Sequence, residues 1–126
     1  MLQVYTGTGK GKTTAALGVA FRGAGYGLKT TMFSFLKDDP NYGEARAAGV
    51  LPGFVLKQVG RDEFVNFYDP DPIDLQMVRD GWELAKLAIS NREADIVILD
   101  ELNIVLATNM LPTEEVAEFL AEHKND

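Results

Sequence analysis

Cysteine is absent from the chain, which excludes disulfides, thiolate metal centres and a cysteine nucleophile. Histidine is almost absent. His123, the only one, lies in the polar tail, so a zinc site or a histidine base has no side chains to draw on. No apolar run approaches the ~18 residues that a membrane span needs. The first residues lead straight into Leu2-Gln3-Val4-Tyr5, with neither a basic region nor a long apolar stretch, so no targeting segment is visible. Positive charge is in deficit: the formal net charge is −7. That removes any global attraction to nucleic acid or to an anionic membrane. The expectation is a cytoplasmic protein with neither kind of partner, in which an anionic ligand is held by a local device.

What remains is enough for one domain over residues 1–126. Hydrophobic residues make up 46% of the chain, and a domain of this length buries roughly two-thirds of the surface its unfolded chain exposes. Apolar periodicity alternates between strand and helix types. Leu2–Tyr5 reads as a buried strand. Residues 12 to about 22 read as a helix closed by Gly23, Gly25 and Gly27. Lys29–Leu36 reads as a second strand, Glu44–Ala48 as a short helix and Phe54–Val59 as a third strand.

Residues 60–71 form a loop rich in aromatics, with Phe64, Phe67 and Tyr68. Asp71-Pro72 supplies an N-cap and a first helical residue. Leu75, Val78, Trp82, Ala85 and Ile89 then mark one apolar helix face ending near Ser90. Trp82 on that face reads as core. Ile96–Leu99 is a continuous apolar run, expected as the central strand, and Thr113 is expected to cap a last helix. Strands alternating with helices imply a mainly parallel sheet in a three-layer α/β domain, with ligands at the carboxyl ends of the strands.

Two features fall at such ends. The first is Thr6-Gly-Thr-Gly-Lys-Gly-Lys-Thr-Thr14. Its glycines let backbone N–H groups converge into an anion nest, reinforced by the positive end of the helix that follows. Lys12 reaches phosphate oxygens and the Thr13 hydroxyl is a ligand for Mg²⁺ (or Mn²⁺). The general pattern for such loops has glycine where Thr6 stands. The second feature is Asp100-Glu101, placed to hold the metal or its water shell: Glu101 directly, Asp100 behind it. A nucleoside triphosphate, ATP, is the ligand this loop calls for.

These residues resemble the P-loop ATP:corrinoid adenosyltransferases. The likeness starts at Thr6-Gly-x-Gly-Lys-Gly-Lys-Thr-Thr-Ala-Ala16. It runs through Arg22-Gly-Ala-Gly-Tyr-Gly27, Phe35-Leu-Lys37 and Gly43-Glu44-x-Arg46. It closes with Val97-Ile-Leu-Asp-Glu-Leu-Asn103, Leu111-Pro112 and Glu115-Val116. The resemblance implies a P-loop NTPase-like fold and adenosyl transfer from ATP to a reduced corrinoid, with tripolyphosphate as leaving group. It implies Lys12 and Glu101 as catalytic residues. Thr6, Gly7, Thr8, Gly9, Lys10, Gly11, Lys12, Thr13, Thr14 and Arg22 become ATP contacts. Thr13, Glu101 and, more remotely, Asp100 serve the metal, and Phe64 and Phe67 the corrinoid. It also implies a homodimer supplied by a separate reductase.

Two departures stand out. The Trp that the family carries two residues after the Phe is Asn66 here. The family's C-terminal strands, with their Thr-Gly-Arg turn, are not within these residues, so the expectation is either that this sequence is part of a longer chain or that a partner chain fills the gap. The competing expectations are another P-loop kinase or ATPase, and a nucleotide-binding module without catalysis.

Overall fold

The structure is a computed structural model and describes residues 1–36, 39–61 and 65–125. Helix α1 (Lys12–Gly25) leads to strand β1 (Thr30–Phe35), the short helix α2 (Gly43–Ala47) and strand β2 (Phe54–Val59). Helix α3 (Pro72–Ser90), strand β3 (Ile96–Asp100) and helices α4 (Leu102–Ala107) and α5 (Thr113–His123) follow. The three strands form one all-parallel sheet in the order β2-β1-β3. Because side chains alternate across a strand, β1 builds two cores. Phe33 and Phe35 face α3, α4 and α5 in the larger one, with Trp82, Val105, Leu111 and Val116. Met32 faces α1 in the smaller one, with Ala20, Phe54 and Ile98. Burial of a side chain as large as Phe33 or Trp82 contributes about 2–3 kcal/mol.

α3 lies close on the sheet because Gly81 sits against Val59, where an added methyl would run into the valine side chain. Trp82 is 0% exposed and is core, as its helical spacing indicates. Its indole Nε1 donates to Glu115 Oε2 at 2.9 Å, and Arg79 Nη1 donates to the same oxygen at 2.6 Å. α5 is thereby fastened to α3.

In the first turn of α3, Asp74 receives a fork from Arg61, Nε to Oδ1 at 2.7 Å and Nη2 to Oδ2 at 2.9 Å. The same Nη2 also reaches Asp71 Oδ2 at 2.7 Å. The Arg61 hydrogen bonds hold the Asp74 carboxyl below its usual range, against the opposing effect of burial. The Arg79 hydrogen bond does the same for Glu115, with smaller help from Trp82.

Both carboxyls are depressed in the fold. Their contribution to stability is therefore complete above the unfolded carboxylate range, about pH 4, and is lost as pH falls through the lower native values. Thermal unfolding midpoints are expected to stay level down to about pH 5 and then drop. Glu115→Gln should start lower and drop less steeply. Parallel curves for variant and parent would remove Glu115 as a source of the acid sensitivity.

Three expectations fail. Leu2–Tyr5 forms no strand, and Leu2, Val4 and Tyr5 are exposed. β3 is consequently an edge strand among the described residues, not the central one. A run of four residues on a sheet edge gains ladder bonds on one side only, and that gain does not exceed the entropy cost of ordering it. The third is smaller: Pro112, not Thr113, is the N-cap of α5, and Thr113 is its first residue.

Candidate functional site

The glycine loop precedes α1, as its sequence requires. Gly11 is the N-cap of that helix with φ 113°, and Gly7 has φ 144°. Both values are in the region that a side chain disfavours. The turns bring the chain around an open depression of about 390 Å³, lined by Val4, Tyr5, Thr6, Gly7, Gly9, Lys10, Gly11, Lys12 and Ala15. That volume suits a small-molecule ligand. Lys12 bends back over the loop, its Nζ donating to Gly7 O at 2.9 Å and to Gly9 O at 2.7 Å. The ammonium is therefore held within the loop that lines the depression, at the N-terminal end of α1.

The link between loop and sheet is a side-chain hydrogen bond. Thr13 Oγ1 donates to Asp100 Oδ1 at 2.8 Å, joining the first turn of α1 to the carboxyl end of β3. Asp100 is buried. Its register partner on β1 is Ser34, whose hydroxyl is also buried and makes no hydrogen bond among the described residues. These are hard oxygen donors beside the glycine loop. A hydroxyl that gives its proton to Asp100 keeps its lone pairs for a cation. The residues present fit Mg²⁺, which takes few protein ligands and keeps most of its waters. Among the described residues no cluster of three or more acidic or histidine side chains forms a self-sufficient metal cage.

The match to known families follows this geometry. Residues 1–126 match the model of the family described as ATP:corrinoid adenosyltransferase BtuR/CobO/CobP. The chain belongs to the ATP:corrinoid adenosyltransferase family. It is 38% identical to a corrinoid adenosyltransferase of Escherichia coli (strain K12) over 94% of this chain and 60% of that protein. With the corrinoid adenosyltransferase CobA of Salmonella typhimurium the identity is 35%, over 93% of this chain and 59% of the relative. An uncharacterized protein of Nostoc sp. is 34% identical over 99% of this chain and 36% of its own length. The chain thus spans about three-fifths of the length of the corrinoid adenosyltransferases it matches.

In this family member the remaining site residues are placed unequally. Lys10 lines the depression, whereas Thr8 and Thr14 are exposed outside its lining. Arg22 is in the last turn of α1, a rise of about 15 Å beyond Lys12. Glu101 is the N-cap of α4 in left-handed backbone, φ 64°, and its carboxylate makes no capping bond to that helix. The residue in contact with Thr13 is its neighbour Asp100. Phe64 lies outside the described residues. Phe67 is 39% exposed, so it is no core residue.

The structure organises two residues that no sequence motif marks, Arg61 and Arg79. A usable signal was Asp74, an acidic residue four before Val78 on the apolar face of α3. A carboxylate in that position calls for a buried cationic partner.

No helix among the described residues is long and apolar enough to cross a membrane.

Proposed function

We propose that this chain transfers the 5′-deoxyadenosyl group of ATP to the cobalt of a reduced corrinoid. The observation that carries the proposal is the convergence of Lys12, the glycine loop and the Thr13–Asp100 bridge at the start of α1, in a member of this family. The cobalt supplies the electron pair that forms the cobalt–carbon bond. The bond from C5′ to the triphosphate oxygen breaks, and its electrons leave with tripolyphosphate. The nucleophile belongs to the substrate, which suits a chain without cysteine and with its only histidine at the end of α5.

The protein's part is orientation and stabilisation of charge. Loop N–H groups and Lys12 hold the triphosphate as negative charge accumulates on it. Thr13 is the Mg²⁺ (or Mn²⁺) ligand, Asp100 orients Thr13, and Glu101 adds a carboxylate beside them. When bound, the metal neutralises charge on the leaving group. Lys10 and Arg22 are further contacts to phosphate or to a neighbouring subunit. Phe67, with Phe64, covers the corrinoid. The active unit is a cytoplasmic homodimer, and a separate reductase delivers the reduced corrinoid.

Incubation with ATP, Mg²⁺ and chemically reduced cobalamin under anoxic conditions is expected to yield adenosylcobalamin and tripolyphosphate in equal amounts. ADP or phosphate without adenosylcobalamin would instead indicate a kinase or ATPase. Binding without any product would indicate a nucleotide-binding module.

A further inference from the structure

β2 and β3 flank β1 and run parallel to it, so Val59 and Asp100 end at the same edge of the sheet. Their strand ends lie about 10 Å apart, two inter-strand spacings. The aromatic loop therefore leaves β2 at the same edge as the Thr13–Asp100 bridge. Its base is closed by the Arg61 fork, which reaches across to the first turn of α3. Asp74 is 3% exposed and the Arg61 side chain 23%.

A buried ion pair of this kind gives little net stability compared with apolar residues of the same volume. It does fix geometry, because a bidentate fork tolerates one arrangement and loss of either partner strands a buried charge. What it fixes is the described part of the loop, residues 65–71. Val65 packs on the larger core. Asn66 Oδ1 accepts from the backbone N–H groups of Tyr68 at 3.0 Å and Asp69 at 3.3 Å, a local turn. Of the two aromatics between these fixed points, Tyr68 is fully exposed and Phe67 is 39% exposed. A fully exposed ring such as that of Tyr68 gains little for folding, but on a pinned loop it loses little entropy when a flat apolar ligand stacks on it.

We propose that Arg61 is a positioning residue for the corrinoid: its fork to Asp74 and Asp71 holds Phe67 and Tyr68 as a preformed aromatic platform for the ring of the substrate. The proposal rests on the adenosyltransferase function given above. Arg61 touches neither the glycine loop nor Thr13 in the hydrogen bonds described, so its loss should separate the two substrates.

The test is steady-state kinetics of the full chain with Mg-ATP and reduced cobalamin. Arg61→Ala is expected to raise the cobalamin KM about tenfold or more while the ATP KM stays within about twofold. Arg61→Lys, which keeps charge but loses the fork, should recover only part of this. Tyr68→Ala should raise the cobalamin KM about five- to tenfold with an unchanged unfolding midpoint, since the ring is fully exposed.

An unchanged cobalamin KM, or equal rises in both KM values, would overturn the positioning role. Should Arg61→Ala fail to fold, Asp71→Ala removes only the exposed limb of the fork. A severalfold rise in cobalamin KM in that variant supports the role, and no rise overturns it. A parent chain that makes no adenosylcobalamin would overturn the function itself and the role with it. An active parent with indifferent variants would overturn the role alone.

Discussion

Replacing Lys12 by alanine is expected to lower kcat/KM for ATP by about 10²–10³-fold, the usual cost of removing one donor from developing negative charge. ATP binding should weaken with it, because the same ammonium faces the triphosphate before and during reaction. The contacts of Lys12 with Gly7 O and Gly9 O lie on an exposed loop, so its loss strands no buried group. The unfolding free energy of the variant should accordingly stay within about 0.5 kcal/mol of the parent, as is typical of surface changes. Lys12→Arg should not rescue, since a planar guanidinium cannot occupy the point-charge position over two carbonyls. Normal ATP binding and turnover by Lys12→Ala would show that the depression before α1 is not the nucleotide site.

The second large effect concerns the bridge between loop and sheet. Thr13→Ala, which removes the metal ligand, and Asp100→Asn, which removes the charge that orients it, are each expected to reduce turnover at least about 10–100-fold, the usual cost of losing an orienting group. Asparagine keeps the shape and can still accept from Thr13, so Asp100→Asn removes charge while leaving the hydrogen bond. The Mg²⁺ concentration for half-maximal activity should therefore rise in Asp100→Asn. The double variant should be little worse than the weaker single one, because the Asp100 charge acts on the metal through the Thr13 hydroxyl that it meets at 2.8 Å. Additive losses would mean that the two residues work separately. A loss of Mg²⁺ dependence confined to Glu101→Gln would assign the metal to Glu101 and leave Asp100 a purely structural role.

Much of the fold was legible because it depends on local pattern. β2 was read at Phe54–Val59 and is found there, since a short run between turn residues has few alternatives. α3 begins at Pro72 after Asp71, as the cap chemistry indicates, and its apolar spacing identified Trp82 as core. The cap itself works differently from expectation. The Asp71 carboxylate makes no bond to the helix and is occupied by Arg61 instead. Competition of that kind between a local and a distant partner has no sequence signature.

By itself, the sequence determined the glycine loop, the lysine and threonine that follow it, and the family. The loop with its lysine and threonine lies in one contiguous stretch whose chemistry follows from residue type and spacing, and the family is carried by short motifs from Thr6 to Val116. Only the tertiary structure decided which carboxylate meets Thr13. Asp100 and Glu101 are neighbours in the chain, but Asp100 is the last residue of β3 and its side chain takes the α1 side fixed by the pleat. Glu101 already belongs to the turn into α4. The structure likewise decided that Arg61 pairs with Asp74 across the aromatic loop, and that Leu2–Tyr5 stays out of the sheet. Each of these depends on contacts between elements, where burial and competing partners outweigh what a short segment prefers on its own.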